Sequence, residues 1–290
     1  MKYELKNQQI SISVDSLGAQ LVSLKSEEDI QYLWQGDPAF WKGQAPVLFP
    51  WVGRLQDSSY QVDGKVYQTG IHGFAKTMEF ACTEQTEHAL TFTLEANEET
   101  LRQYPFQFRF SVRYMLDGKT LHHTFRVENT GEETMYFGLG GHPGFHVPLT
   151  EGEEFSDYVL TFPEPCRPDR ILFTENVLYS GQTAPYPLEN DRQLTLSHGL
   201  FDEDAIFLTH MARSVTLRGK AGKGVRLDYP DMSYLGLWHM PKTEAPYVCI
   251  EPWLSLPGRD GILENLRCRS DLASLHPGKT YENTFSITVF

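Results

Sequence analysis

Two residues in this sequence could together move protons at neutral pH. His142 lies in Gly138-Leu139-Gly140-Gly141-His142-Pro143-Gly144-Phe145-His146, and Glu251 lies in Cys249-Ile250-Glu251-Pro252-Trp253. Histidine titrates near neutrality and can give or take a proton. A carboxylate that ends the apolar run Tyr247-Val248-Cys249-Ile250 is costly to bury unless it is paired or used. Burial also raises its pKa toward that of a working general base. Plainer readings stand beside these. His142 would cap a strand end, and Glu251 would form a structural salt bridge, with Arg54 as a candidate partner.

Two further stretches have the same character. Pro46-Val47-Leu48-Phe49-Pro50-Trp51-Val52-Gly53-Arg54 carries Arg54, and Gly70-Ile71-His72-Gly73-Phe74-Ala75-Lys76 carries His72 and Lys76. Proline restricts φ and glycine permits close approach, so such framing suits a side chain that must be held in place. His72 could orient a hydroxyl or ring oxygen, and Arg54 could make a bidentate contact. Each could equally be a loop residue bonded to backbone. Trp51, Phe74, Trp238 and Trp253 flank these stretches. Their rings could stack on the apolar face of a sugar, although most aromatics in an all-β protein are core.

The other histidines carry less. His123 falls in an apolar alternation and reads as a buried structural residue. His146 could support His142. The four-residue spacing of that pair imitates a helical metal motif, but Pro143 and Gly144 break the helix it needs. His88, His198, His210 and His276 read as surface residues. No metal ligand set is expected. Cys82, Cys166, Cys249 and Cys268 form no Cys-x-x-Cys pair and are expected to be free thiols. There is no phosphate-binding glycine loop, dinucleotide fingerprint or nucleophile elbow.

The elements that must position these residues read as strands. Apolar and polar residues alternate over 9–14, 88–94, 106–115, 120–127 and 285–289, the period of a strand with one buried face. Asp63-Gly64 and Asp117-Gly118 mark hairpins, and Asn129-Thr130-Gly131 marks a further turn. Helical periodicity is confined to Glu98–Tyr104. Many short strands with frequent turns predict an all-β fold, a large antiparallel sandwich. The proline-rich segment from Pro163 to Pro187 is expected to be an irregular excursion within one domain spanning 1–290. A chain of 290 residues can bury a large core without staples.

The formal net charge of −13 argues against nucleic acid and anionic membrane as partners. It leaves room for a small anionic substrate, which needs only a local basic patch. Met1-Lys2-Tyr3-Glu4-Leu5 has no apolar stretch of signal-peptide length, and no apolar run approaches a membrane span. The expected location is cytoplasmic. Exposed strand edges would let two copies pair, so a homodimer stays open.

Four pieces, in this order, resemble the galactose mutarotase (aldose 1-epimerase) superfamily: Phe49-Pro50 with Gly53-Arg54, His72-Gly73-Phe74, Gly141-His142-Pro143 and Ile250-Glu251-Pro252-Trp253. The likeness runs from Gly18-Ala19 to Pro277-Gly278. It looks closest to the galactose mutarotase-related branch that includes the LacX-type proteins. The resemblance implies a sandwich of large twisted sheets with an open sugar cleft. It implies His142 as general acid and Glu251 as general base. Arg54, His72 and Asp204 match positions that hold sugar hydroxyls or the ring oxygen, and Trp238 matches a stacking position. The sequence departs from true galactose mutarotases after the histidine, where Pro143-Gly144-Phe145-His146 follows. That puts galactose itself in doubt. Lys76, with Arg54, is a candidate contact for a sugar 6-phosphate, or a solvated surface lysine.

The expected activity is mutarotation of an aldohexose or a hexose phosphate, with no cofactor or metal. Ring opening needs a base for the C1 hydroxyl proton and an acid for the ring oxygen. A non-catalytic carbohydrate-binding or regulatory protein on the same fold is the alternative. A glycoside hydrolase is a third reading, but it would need a second framed carboxylate beside Glu251, and only Asp204 is on offer.

Overall fold

The computed structural model describes all 290 residues and is nearly all β. Two large antiparallel sheets dominate. One has nine strands, with Thr280–Val289 at its centre, paired on one side with Thr120–Asn129 and on the other with Gly224–Asp228. The other has eight strands, and its centre is Tyr247–Trp253, flanked by Tyr234–Trp238 and by the short strands Gly140–Gly141 and Gly144–His146. The alternating sequence segments form the strands they predict: Ile10–Asp15, Ala89–Glu95, Phe108–Asp117, Thr120–Asn129 and Thr280–Val289. Asp63 and Gly64 both take positive φ in the two-residue hairpin that joins Ser59–Val62 to Lys65–Gln68, as the Asp-Gly signal requires. The single α-helix, Glu98–Gln103, starts at an Asn97 capping box.

One apolar core of 66 buried residues runs between the large sheets. Three neighbouring strands of the eight-stranded sheet, Ile206–Thr209, Tyr234–Trp238 and Tyr247–Trp253, divide their residues by parity. Val248 and Ile250, Leu235 and Leu237, and Ile206 and Leu208 enter that core. The intervening residues face the other way. Tyr247 and Cys249 join a small aromatic cluster with Trp34, and Phe207 joins another with Trp253. A period of two therefore sends Tyr247, Cys249, Glu251 and Trp253 to the outer face of the sheet.

The segment expected to be irregular is not. Asp169–Phe173 and Tyr179–Pro185 form an antiparallel hairpin at the edge of the eight-stranded sheet. Tyr179–Pro185 has little burial on either face, and the pairing shifts register at Ile171/Phe173. An edge strand wet on both faces has no reason to alternate, which removed the sequence signal. The cysteines are free, as expected. No helix is long and apolar enough to cross a membrane.

Candidate active site

The outer face of the eight-stranded sheet holds a cavity of about 620 Å³. Its wall includes the seven expected catalytic and sugar-contact residues, Arg54, His72, Lys76, His142, Asp204, Trp238 and Glu251. Of the other flanking aromatics Trp253 also lines it, whereas Trp51 and Phe74 are core.

Glu251 sits mid-strand and is 1% exposed. Its neighbour across the ladder is Gly236, whose missing side chain leaves space: a Cβ there would lie 3.2 Å from the Glu251 Cβ. His142 follows Gly140–Gly141, the short strand paired with Tyr247–Trp253 at Trp253. A Cβ on Gly140 would overlap the Trp253 ring at 2.7 Å, so glycine lets the histidine loop lie against the strand. The outcome is a face-to-face pair, with His142 Nε2 3.3 Å from Glu251 Oε2. The salt bridge from Glu251 to Arg54 is not formed. Arg54 is exposed on the cleft wall.

Burial disfavours charge on both members of the pair. It pushes the Glu251 carboxyl well above the usual carboxylate range, reinforced by the negative charge of Asp204. It pulls His142 down to about 3. Both shifts act in one direction: they favour the uncharged pair, a neutral carboxyl facing a neutral imidazole. Trp41 stacks on the His142 ring at 5.0 Å and 30°, and supplies part of that dry surrounding.

His72 is fixed by a reciprocal clamp between two loops. Its backbone N–H donates to the Gly53 carbonyl at 2.9 Å, and the Gly53 N–H donates to His72 Nδ1 at 3.0 Å. Nδ1 therefore accepts, and the ring proton resides on Nε2, where it can be donated. Burial, with the nearby His142, Lys76 and Arg54, holds His72 neutral well below its ordinary range. Gly73 makes the clamp possible: it has φ +69°, and a Cβ would lie 2.4 Å from the Phe49 carbonyl oxygen. His72 and Asp204 are themselves in the left-handed region, at φ 64° and 74°, a strain that concentrates at functional positions. The Asp204 carboxylate accepts from the Ala205 N–H at 2.8 Å. Lys76 is half-buried, and desolvation alone lowers its pKa.

Sequence reasoning missed Trp41, Val177 and Phe207 on the cleft wall. Trp41 lies in a loop outside the four framed stretches, and Val177 lies in the segment expected to be irregular. His146 is not on the wall; it packs edge-on to Trp34. His123 is buried among Tyr114, Phe125 and Phe285, as expected. His88, His210 and His276 are exposed. His198 is not a plain surface residue: its Nδ1 lies 3.1 Å from Nε2 of His239, and it stacks on Phe155.

Residues 1–288 match the aldose 1-epimerase family. The chain belongs to that family. It is 38% identical to the chromosomal protein LacX of Lactococcus lactis subsp. lactis, over the whole of this chain and 99% of that one. Its fold matches a crystal structure described as a galactose mutarotase related enzyme, from Lactobacillus acidophilus. That match has a TM-score of 0.95 and 36% identity, and covers 100% of this chain and 97% of that one. A galactose mutarotase-like protein from Lactobacillus casei ATCC 334 superimposes with a TM-score of 0.93 at 28% identity, with full coverage of both chains. The family makes this aldose 1-epimerase relative an enzyme of the isomerase type with a small sugar as ligand. The galactose mutarotase-like sandwich expected from the sequence is the fold observed.

Proposed function

We propose that the protein is a mutarotase that interconverts the α and β anomers of an aldohexose or its phosphate, with Glu251 as general base and His142 as general acid. The observation that carries this reading is the 3.3 Å separation of two buried, oppositely shifted groups on the wall of a sugar-sized cavity. The hemiacetal hydroxyl and the ring oxygen share one carbon, so an acid and a base must stand close together to serve both.

The dyad carries the proton inventory that the reaction needs. A neutral carboxyl facing neutral imidazole and a carboxylate facing imidazolium hold the same number of protons. They differ only in where one proton lies across the gap. A sugar in the cleft brings hydroxyl dipoles that favour the charged form. Glu251 then takes the C1 hydroxyl proton while His142 gives its proton to the ring oxygen, and the C1–O5 bond breaks. Rotation about C1–C2 presents the other face of the aldehyde. The reverse transfers close the ring and restore the dyad. Each positioned proton transfer contributes about 10²–10⁴-fold. The His72 Nε2–H is a neutral donor for a sugar oxygen, and Asp204 is an acceptor for hydroxyls. Trp238 offers a stacking surface.

A phosphorylated hexose is the form favoured by one feature. Arg54 and Lys76 stand on the same cleft wall, and neither forms an ion pair with a carboxylate. In a chain with a net charge of −13, two such cations in the cavity suit an anionic group. Exchange spectroscopy by proton NMR on free hexoses and their 6-phosphates tests both levels. Enzyme-dependent exchange that vanishes in Glu251→Gln supports the dyad. Loss of a 6-phosphate preference in Lys76→Met supports the phosphate contact. Unchanged exchange in Glu251→Gln removes the base assignment.

A further inference from the structure

The strand that delivers Glu251 also delivers a thiol that the proposed chemistry does not use. Cys249 is two residues away on the same outer face, fully buried and free. The donor atoms of His142, Cys249 and Glu251 all lie within 4.8 Å of one another. Gly144 stands opposite Cys249 in the ladder, and a Cβ there would come within 3.4 Å of the sulfur. Imidazole, thiolate and carboxylate are together a zinc-type ligand set. His142 and Glu251 line the sugar cleft and Cys249 does not, so an ion would reach the three donors past that pair. Three protein ligands are the set of an accessible rather than a closed zinc site. Bond lengths of about 2.3 Å to sulfur and 2.0–2.2 Å to nitrogen and oxygen need the three donors to close in by about 1 Å. Side-chain rotation supplies movement of that size.

We propose that His142, Cys249 and Glu251 form an inhibitory site for a soft divalent cation of the zinc type, entered from the sugar cleft. The charges balance. The cation replaces one proton on the thiol and one on the carboxyl, both released to solvent, while His142 binds through neutral imidazole. The occupied site keeps the net charge of the protonated one. A thiolate beside a carboxylate in a dry site is unfavourable alone, and a divalent cation between them relieves the repulsion. Hard cations such as Mg²⁺ prefer an all-oxygen shell and do not suit this set. An ion held here takes both members of the dyad, so sugar turnover stops while it stays. Cation binding is independent of the mutarotase reading, and only the inhibition rests on it.

The test is a Co²⁺ titration of the full chain with Cys82, Cys166 and Cys268 changed to Ser, which leaves Cys249 as the sole thiol. The expected result is a thiolate-to-cobalt charge-transfer band, removed by added Zn²⁺ and absent after further Cys249→Ala or Cys249→Ser substitution. Circular dichroism checks that these variants keep the fold. Glu251→Gln and His142→Ala should each weaken Co²⁺ binding by more than about tenfold, since loss of even an outer-shell partner costs that much. No band, a band that survives loss of Cys249, or affinity indifferent to Glu251 and His142 would each overturn the site. In the second arm, Zn²⁺ should suppress anomer exchange in the wild type and leave Cys249→Ala active. Zn²⁺-insensitive exchange in a wild type that shows the cobalt band would refute the inhibitory role. Absence of exchange with every sugar would sink the mutarotase reading alone, and the band would still decide the cation site.

Discussion

Trp41→Ala should move the acid limb of the pH–rate profile upward. The indole of Trp41 stacks on the His142 ring, and burial is the main reason that His142 titrates at about 3 rather than 6.5. In the wild type the dyad takes up its second proton only in strong acid, so kcat/KM should be flat from neutrality down to about pH 4. Removal of the indole admits water to one face of the imidazole and weakens the desolvation that holds the pKa down. Full relief would return it to the ordinary histidine range. At pH 5 a histidine of ordinary pKa is about 97% protonated, so complete relief predicts about a thirtyfold loss of kcat/KM relative to pH 8. Partial relief predicts an intermediate loss. Trp41→Phe, which keeps a ring over His142, should shift the limb much less. Exchange NMR from pH 4 to 9 measures the limb, and an imidazole titration by NMR checks that His142 is the group that moved. An acid limb in Trp41→Ala that coincides with the wild type would refute the claim that dryness at His142 sets the proton inventory.

Other positions yield independent tests. Asp204 raises the Glu251 pKa through its charge, so Asp204→Asn should move the alkaline limb of the profile to lower pH; a limb that stays or rises contradicts the assignment. His123 titrates at about 3 because it is buried, so the unfolded chain binds its proton first as pH falls through 6.5. Stability present above pH 6.5 is lost between 6.5 and 3, about 2 kcal/mol of it by pH 5 from this one group. In His123→Phe the stability difference between pH 7 and pH 5, read by urea denaturation, should shrink by about that amount. Gly73→Ala forces a Cβ against the Phe49 carbonyl at positive φ and should cost about 1–3 kcal/mol; wild-type stability in urea would show that the loop relaxes freely.

Much of the site was legible because it breaks the strand pattern. Gly-Gly-His-Pro, Gly-Ile-His-Gly and Ile-Glu-Pro-Trp each set one ionisable side chain among residues that dictate backbone geometry, and all three reach the same cavity. The order of the strands was not legible. Thr280–Val289 lies between Thr120–Asn129 and Gly224–Asp228, and nothing local in the sequence selects those partners. Trp41 was invisible because an aromatic in a loop looks like any other surface or core aromatic. Cys249 shows in the sequence as a free thiol and as the opening residue of the Glu251 stretch. Its two-residue spacing from Glu251 already implied a shared face once that segment was taken as a strand. Tyr179–Pro185 failed for the opposite reason, since an exposed edge strand shows no hydrophobic period.

The most direct measurement of the central claim is anomer exchange by proton NMR with wild type, Glu251→Gln and His142→Gln side by side. The dyad account predicts enzyme-dependent exchange for at least one hexose or hexose 6-phosphate, lowered by 10²-fold or more in each variant, with sugar binding by calorimetry retained. Exchange that survives in both variants, or sugar binding without exchange in the wild type, would contradict it.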